Sequence, residues 1–331
     1  MLAAAMYLVT GGAGFIGLNL VIALQARKAQ GVAVCDRLDH PDKSAAMAAH
    51  KPIAFIEPDA LDEFLRQRGS EITAVFHLGA ISSTTETNWQ KLQENNIDAT
   101  LKLWQWCAQA KVPLIYASSA ATYGDGSQGF DDDKAIAALQ RLRPLNLYAS
   151  SKHDTDLAIR RMLDAGQPAP PHWAGLKFFN VYGPHEHHKG EQRSIVNKLY
   201  DEITARGRAK LFRSHNPDYQ DGGQLRDFIW VGDCVDVMLW LLDGKSVSGF
   251  FNVGTGQARS FLDVAQATFA AMDRTRDIEF IDMPLSLRDK YQYYTQAEMT
   301  RLRAAGYRRA FTSLEHGVRH YVRDYLIKDV G

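Results

Sequence analysis

The chain has 331 residues, and its 38 basic and 38 acidic side chains cancel; no basic block or aromatic-basic interleaving of the kind that grips nucleic acid is present, so no nucleic-acid partner is expected. The length exceeds the usual single-domain size and suits a sheet core with a second lobe. No stretch of 18 apolar residues occurs, and the apolar run at residues 1–9 is short and lacks a basic leader, which predicts a cytoplasmic protein with no membrane partner. Cys35, Cys107 and Cys234 are odd in number, widely spaced and set in apolar surroundings, the pattern of buried free thiols in a reducing compartment.

Met6-Tyr7-Leu8-Val9-Thr10 is a run of strand type that breaks into Gly11-Gly12-Ala13-Gly14-Phe15-Ile16-Gly17 and then into a helical stretch over residues 18–28. Gly11 permits the tight turn, Gly14 lets the backbone approach a pyrophosphate, and Gly17 lets the helix pack closely on the strand. Phe15 and Ile16 complete the loop, and the strand, turn and helix together predict dinucleotide binding. The next strand, Val32-Ala33-Val34-Cys35, ends in Asp36, 19 residues after Gly17, where a carboxylate can hold the adenosine ribose and favour NAD. Arg37 follows at once and Lys43 lies seven residues past Asp36, so this loop can equally surround the 2′-phosphate of NADP. Both are also plausible solvated loop charges, and the residues leave the two dinucleotides open.

Further strand patterns at Ala54-Phe55-Ile56, Ala74-Val75-Phe76-His77-Leu78, Pro113-Leu114-Ile115-Tyr116-Ala117 and Trp173-Ala174-Gly175-Leu176-Lys177-Phe178-Phe179 alternate with helical ones. The alternation predicts an α/β protein, a Rossmann-type doubly wound parallel sheet. Ligands sit at the carboxyl ends of such strands, where Gly79-Ala80, Ser118-Ser119 and Asn180 collect. The polar residues 124–133 read as a surface loop or lid. After about residue 180 the pattern becomes irregular, the mark of a smaller, mixed C-terminal substrate lobe. The expected division gives residues 1–178, with about 226–256 returning, to the dinucleotide-binding domain, and 179–225 with 257–331 to the substrate lobe.

Tyr148-Ala149-Ser150-Ser151-Lys152 places a tyrosine and a lysine four apart on a helix, pointing into one site. A phenol with a pKa near 10 is a poor base at neutral pH, but a nearby ammonium and a cationic nicotinamide both favour the phenolate. On spacing alone, a solvated pair on a helix face is the commoner meaning. In His185-Glu186-His187-His188-Lys189 the lysine likewise reads as a solvated charge, and the histidines lack a second, distant ligand set, so no metal is expected.

The segments Thr10-Gly11-Gly12-Ala13-Gly14-Phe15-Ile16-Gly17 and Ser118-Ser119-Ala120-Ala121-Thr122-Tyr123-Gly124 and the Tyr148/Lys152 pair, in this order, resemble the extended short-chain dehydrogenase/reductase superfamily along the whole chain. Closer still, Ser82-Ser83-Thr84-Thr85-Glu86, Pro144-Leu145-Asn146-Leu147-Tyr148, Phe179-Asn180-Val181-Tyr182-Gly183-Pro184 with His188-Lys189-Gly190, and Leu302-Arg303-Ala304-Ala305-Gly306-Tyr307 are similar to the ADP-glyceromanno-heptose 6-epimerase family. That resemblance implies an isomerase of lipopolysaccharide core heptose synthesis, with tightly held NADP, an ADP-sugar substrate and a homopentameric assembly.

It also implies roles. Ser119 would hydrogen-bond the reacting oxygen, Tyr148 would be one acid/base, Lys152 would bind the nicotinamide ribose and lower the tyrosine pKa, and Lys189 would be the second acid/base. Asn96 would serve the cofactor side, Asn180 and Ser194 the sugar, Arg226 the diphosphate, Phe212 the adenine and Tyr291 the heptose end. Two departures, Glu191-Gln192-Arg193-Ser194 after Lys189-Gly190 and a long segment at 214–224, bear on the identity of the sugar. Rival functions are weaker. A dehydratase needs an acid and a base beside its serine, whereas Ser119 precedes Ala120-Ala121; a UDP-sugar 4-epimerase would keep NAD and manage without Lys189; a dinucleotide-sensing binding protein has no reason to keep Ser119, Tyr148 and Lys152 together.

Overall fold

A computed structural model describes residues 5–28, 30–244, 247–288 and 291–328; the first four residues of the N-terminal apolar run lie outside the described residues. The chain forms β1 (Met6–Thr10), β2 (Gly31–Cys35), β3 (Ala54–Ile56), β4 (Ile72–His77), β5 (Leu114–Ser119), β6 (Trp173–Phe178), β7 (Asn180–Tyr182), β8 (Ala209–Phe212), β9 (Leu225–Trp230), β10 (Gly249–Val253), β11 (Ala258–Ser260) and β12 (Ile278–Ile281). Seven of these build one parallel sheet in the order β10-β6-β5-β4-β1-β2-β3, the doubly wound architecture expected from the alternating pattern. Every residue of β1 and β6 is buried, as helices on both faces of a parallel sheet require. The strand order reverses between β1 and β4, so the connections leaving these two paired strands run to opposite faces of the sheet and leave a crevice above their ends.

The structure departs from the pattern in the sequence at several points. β4 starts two residues early, because Ile72 pairs with Met6 across a register shift while exposed Thr73 breaks the apolar run. β5 continues through Ser118 and Ser119, which pair with Lys177 and Phe178, so tertiary pairing carries the strand into polar residues. Residues 124–133 are not a free surface lid. Phe130 is buried against Tyr123, Phe179 and Tyr294, and the buried Asp132 carboxylate accepts the Asn252 backbone N–H at 2.7 Å. An aromatic that removes apolar surface from water holds the segment down despite its polar composition.

The C-terminal portion adds a three-stranded mixed sheet, β11-β9-β7, and a two-stranded parallel pair, β12-β8. Its own core gathers Val196, Leu199, Phe228, Val264, Phe269 and Val318. The helices Ile195–Arg206, Phe261–Ala271 and Leu314–Tyr321 each begin at a serine cap, Ser194, Ser260 and Ser313. Cys35, Cys107 and Cys234 are buried free thiols.

One charged cluster crosses the core of the main sheet. Lys177 on β6, 1% exposed, donates to Asp156 at 2.7 Å and to Thr122 at 2.8 Å, and Asp156 also accepts Tyr116 at 2.9 Å and Ser118 at 2.7 Å. With the carboxylate saturated, the pair holds the Leu147–Asp164 helix against β5 and β6. Asp156→Ala leaves an uncompensated buried ammonium and is expected to lower the free energy of unfolding by about 3–5 kcal/mol. Denaturant titration should show this loss, and Asp156→Leu/Lys177→Met together should recover most of it.

Candidate active site

The turn after β1 is shaped by contacts that exclude a side chain. Gly11 has φ +69°, and a Cβ there would lie 2.5 Å from the Gly79 nitrogen; one on Gly17 would lie 2.0 Å from the Gly11 carbonyl oxygen. The glycines therefore let the Phe15–Arg27 helix and the end of β4 close around the turn. Gly14 is the helix N-cap, in extended conformation, and no side chain caps it. The helix thus presents its first-turn N–H groups and positive end at the cleft wall, where Gly14, Phe15, Ile16 and Gly17 all lie. Such an uncapped, glycine-lined helix start fits the pyrophosphate of a dinucleotide.

Asp36 is drawn into this turn. It accepts the N–H of Ala13 at 2.9 Å and of Arg37 at 2.7 Å, and Lys43 donates to it at 3.3 Å. Burial pulls Lys43 down, but the hydrogen bond to Asp39 and the charges of Asp36 and Asp39 outweigh it and raise its pKa. Arg37 is more exposed and meets Asp59 at 3.2 Å. Asp36, Arg37 and Lys43 line a cavity of about 820 Å³ bounded by Gly11, Pro58 and Gly79, a space suited to the adenosine end of a dinucleotide. Asn96 stays behind the wall: fully buried, its side chain binds both backbone groups of Ile81 and donates to Ser151, so its effect on the cleft passes through Ile81.

The adjoining cleft, about 490 Å³, brings together Ser119, Tyr148, Lys152 and Lys189. Asn146 caps the Leu147–Asp164 helix by accepting the Ala149 N–H at 2.8 Å, which sets Tyr148 in the first turn and Lys152 one turn on. Ser119 accepts the Ala121 N–H at 3.1 Å at the end of β5. Burial pushes the Tyr148 phenol up, opposed by its hydrogen bond with Ser119. Lys152 donates to the Ala117 carbonyl at 2.8 Å; burial brings its pKa down to about 8, with Asp156 working against the shift. In this structure burial, rather than Lys152, governs the phenol. Lys189 arrives on the short His187–Gln192 helix, its ammonium 5.0 Å from the centre of the Phe15 ring, and burial lowers its pKa while Glu186 raises it.

The remaining candidates lie apart from these four. Asn180 is exposed at the start of β7, outside the cleft lined by its neighbours Phe179 and Val181. Ser194 is turned inward, its N–H and hydroxyl both donating to Glu186. Phe212, Arg226 and Tyr291 form a separate aromatic shelf: the Arg226 guanidinium sits 5.3 Å from the Tyr291 ring centre, and Tyr291 meets Phe212 edge-on. Burial lowers the Arg226 pKa, against Tyr291 and Tyr219. Sequence reasoning missed Tyr293, whose ring lies 5.1 Å from that of Tyr219 beside this shelf; Tyr219 and Gln192, which lines the cleft, belong to the two departing segments noted in the sequence. The aromatic run Tyr291-Gln292-Tyr293-Tyr294 was the available signal.

A glycine turn at the switch point of a parallel sheet, with serine, tyrosine and lysine converging beside it, defines a nucleotide-dependent enzyme acting on a hydroxyl-bearing substrate. Residues 7–254 match the NAD dependent epimerase/dehydratase family, and the chain belongs to it. The ADP-L-glycero-D-manno-heptose-6-epimerase of Nitratidesulfovibrio vulgaris strain DP4 is 47% identical over 325 residues, 97% of this chain and 98% of that one. The solved ADP-L-glycero-D-manno-heptose-6-epimerase of Helicobacter pylori superposes with TM-score 0.78 at 26% identity, covering 97% of this chain and 96% of that one. The UDP-glucose 4-epimerase of Thermus thermophilus, solved in complex with NAD, superposes with TM-score 0.74 at 25% identity over 96% of this chain and 97% of that one. Within the wider family the chain belongs to the ADP-L-glycero-D-manno-heptose-6-epimerases, which are isomerases.

The lowered Lys152 pKa has a consequence for stability. Between about 8 and the ordinary 10.5 the unfolded chain binds the proton that the folded chain has released, so this group makes stability rise with pH through that window. The expected slope is about 1.4 kcal/mol per pH unit at most. Unfolding titrations of the parent and Lys152→Met between pH 8 and 10 check it: the stability difference between the two should shift with that slope in favour of the parent.

Proposed function

We propose that this enzyme inverts C6 of an ADP-linked heptose through a transient 6-ketone, with NADP as its resident dinucleotide, in the supply of heptose for the lipopolysaccharide core. The observation that carries the reading is that Lys189, on a separate element, enters the same cleft as Ser119, Tyr148 and Lys152. The similarity to relatives named for this activity supports the substrate.

The bound dinucleotide supplies the acceptor and donor of the hydride. Tyr148 exchanges a proton with the C6 oxygen, Ser119 holds that oxygen by its hydroxyl, and Lys152 favours the phenolate once a cationic ring lies nearby. Inversion against a fixed cofactor face requires the sugar end to turn over, which carries its oxygen to a different proton partner. Lys189 is that partner, and burial, which lowers its pKa, eases release of its proton. Arg226 takes the diphosphate, its guanidinium matching the oxygens, with Phe212 serving the adenine and Tyr291 the heptose end. The involvement of Asp36 with the glycine turn, and the cations Lys43 and Arg37 at the cavity edge, favour a 2′-phosphate. The same reading makes the enzyme a cytoplasmic homopentamer.

Denaturing the purified protein and weighing the released dinucleotide should give NADP; NAD alone would refute that part. Tyr148→Phe and Lys189→Met should each slow epimerisation by roughly 100-fold. In single turnovers followed by cofactor absorbance, the two variants should fail on different C6 epimers. Normal epimerisation by Lys189→Met, or loss of the same half-reaction in both, sinks the two-partner mechanism.

A further inference from the structure

The turn that carries Lys189 is built on a buried carboxylate. Glu186 is 0% exposed, and its oxygens accept the Ser194 N–H, the Ser194 hydroxyl and, at 3.0 Å, the Tyr321 hydroxyl. Tyr321, 0% exposed on the Leu314–Tyr321 helix, accepts in turn from Asn197 at 2.8 Å. Ser194 is the cap of the Ile195–Arg206 helix, so one carboxylate joins two helices of the second lobe to the segment that enters the cleft. The link to Lys189 is direct in the backbone: its N–H donates to the Glu186 carbonyl at 3.0 Å. A charge taken so far from water is costly unless its lone pairs are met, and here Ser194 and Tyr321 meet them.

We infer that Glu186 is the positioning residue for Lys189: its buried carboxylate fixes the turn that presents the lysine to the cleft and places a negative charge near it. This rests on the two-partner reading of Lys189 given above. The electrostatic surroundings leave this work to Glu186. Lys198, on the Ile195–Arg206 helix, is a like charge that lowers Lys189's proton affinity, although paired with Glu191 at 3.2 Å. Arg193 is held by Asp201 at 2.7 Å, and His188, facing Lys43 and His40, is kept neutral by burial, its pKa down at about 4. His185, on the same turn, has its ring against Tyr325. Burial drives Lys189 toward its neutral form, and Glu186 is the charge that opposes this.

Glu186→Gln keeps the shape and the hydrogen-bond count, since the Ser194 and Tyr321 hydroxyls can accept from an amide as readily as donate to a carboxylate. Tyr321→Phe keeps the charge and removes one anchor. The ε-amine of Lys189 can be titrated directly by NMR of the ¹³C-dimethylated enzyme, its resonance assigned by its loss in Lys189→Met. The expected result for Glu186→Gln is a fall in the Lys189 pKa of about one unit, roughly a tenfold change in proton affinity. The basic limb of the Lys189-dependent half-reaction should move down with it, while the Tyr148-dependent profile stays in place. Tyr321→Phe should slow the Lys189-dependent half-reaction without moving its limb. An unmoved Lys189 pKa in Glu186→Gln, or equal losses in both half-reactions with no change in pH profile, overturns the inference. If the Lys189 pKa falls as stated but Lys189→Met epimerises normally, the electrostatic link holds and the catalytic reading of Lys189 is what fails.

Discussion

The approach of Gly17 to the Gly11 carbonyl is the contact on which the rest of the site depends. At 2.0 Å from a virtual Cβ to that oxygen, no side chain can stand at Gly17, and the start of the Phe15–Arg27 helix lies directly on the turn from β1. This closeness sets the helix end beside the switch point, where the connections after β1 and β4 part to opposite faces of the sheet. A slightly more distant helix would still pack, but its first-turn N–H groups would not share a cleft with residues from β5 and the Leu147–Asp164 helix.

Behind Ser119, Tyr148 and Lys152 stands a second layer of polar contacts. Asp156 lies on the face of its helix that carries Lys152, four residues on, and its bonds to Tyr116, Ser118 and Lys177 tie that face to the strand ending in Ser119. The relative placement of serine, tyrosine and lysine is thereby held by a buried, saturated network rather than by loop conformation. Such a network is costly to break and specific in geometry, which suits side chains proposed to act on one oxygen.

The segment following β7 is one junction between the C-terminal portion and the main sheet's part of the chain. Asn19, in the Phe15–Arg27 helix, donates to the Pro184 carbonyl at 3.1 Å, and Thr84 reaches Gln192 at 3.5 Å across the cleft. Lys189 lies between these ties, so its position depends on the dinucleotide-binding turn on one side and on Glu186 and the C-terminal helix on the other. This shared support explains why Ser194, expected at the sugar, is better understood as part of the frame: its polar groups already serve Glu186 and the helix cap.

The local pattern of the sequence determined the glycine turn, the alternation of strands and helices and the Tyr148/Lys152 pair, because each follows from spacing along a few residues: backbone geometry at Gly11 and Gly17, a period of two or 3.6 in the elements, and four residues on one helix face. It could not decide what depends on residues distant in the chain. By spacing alone Lys189 reads as a solvated loop lysine, and only the family resemblance singles it out before Phe15, 174 positions earlier, is seen to lie under its ammonium. Phe130 and Asp132 look like members of a polar loop until Phe179 and Asn252 meet them. Glu186 and Asp156 gave no signal at all, since a carboxylate is ordinarily exposed and only the packing of the second lobe and the central sheet takes these two out of water and gives them partners.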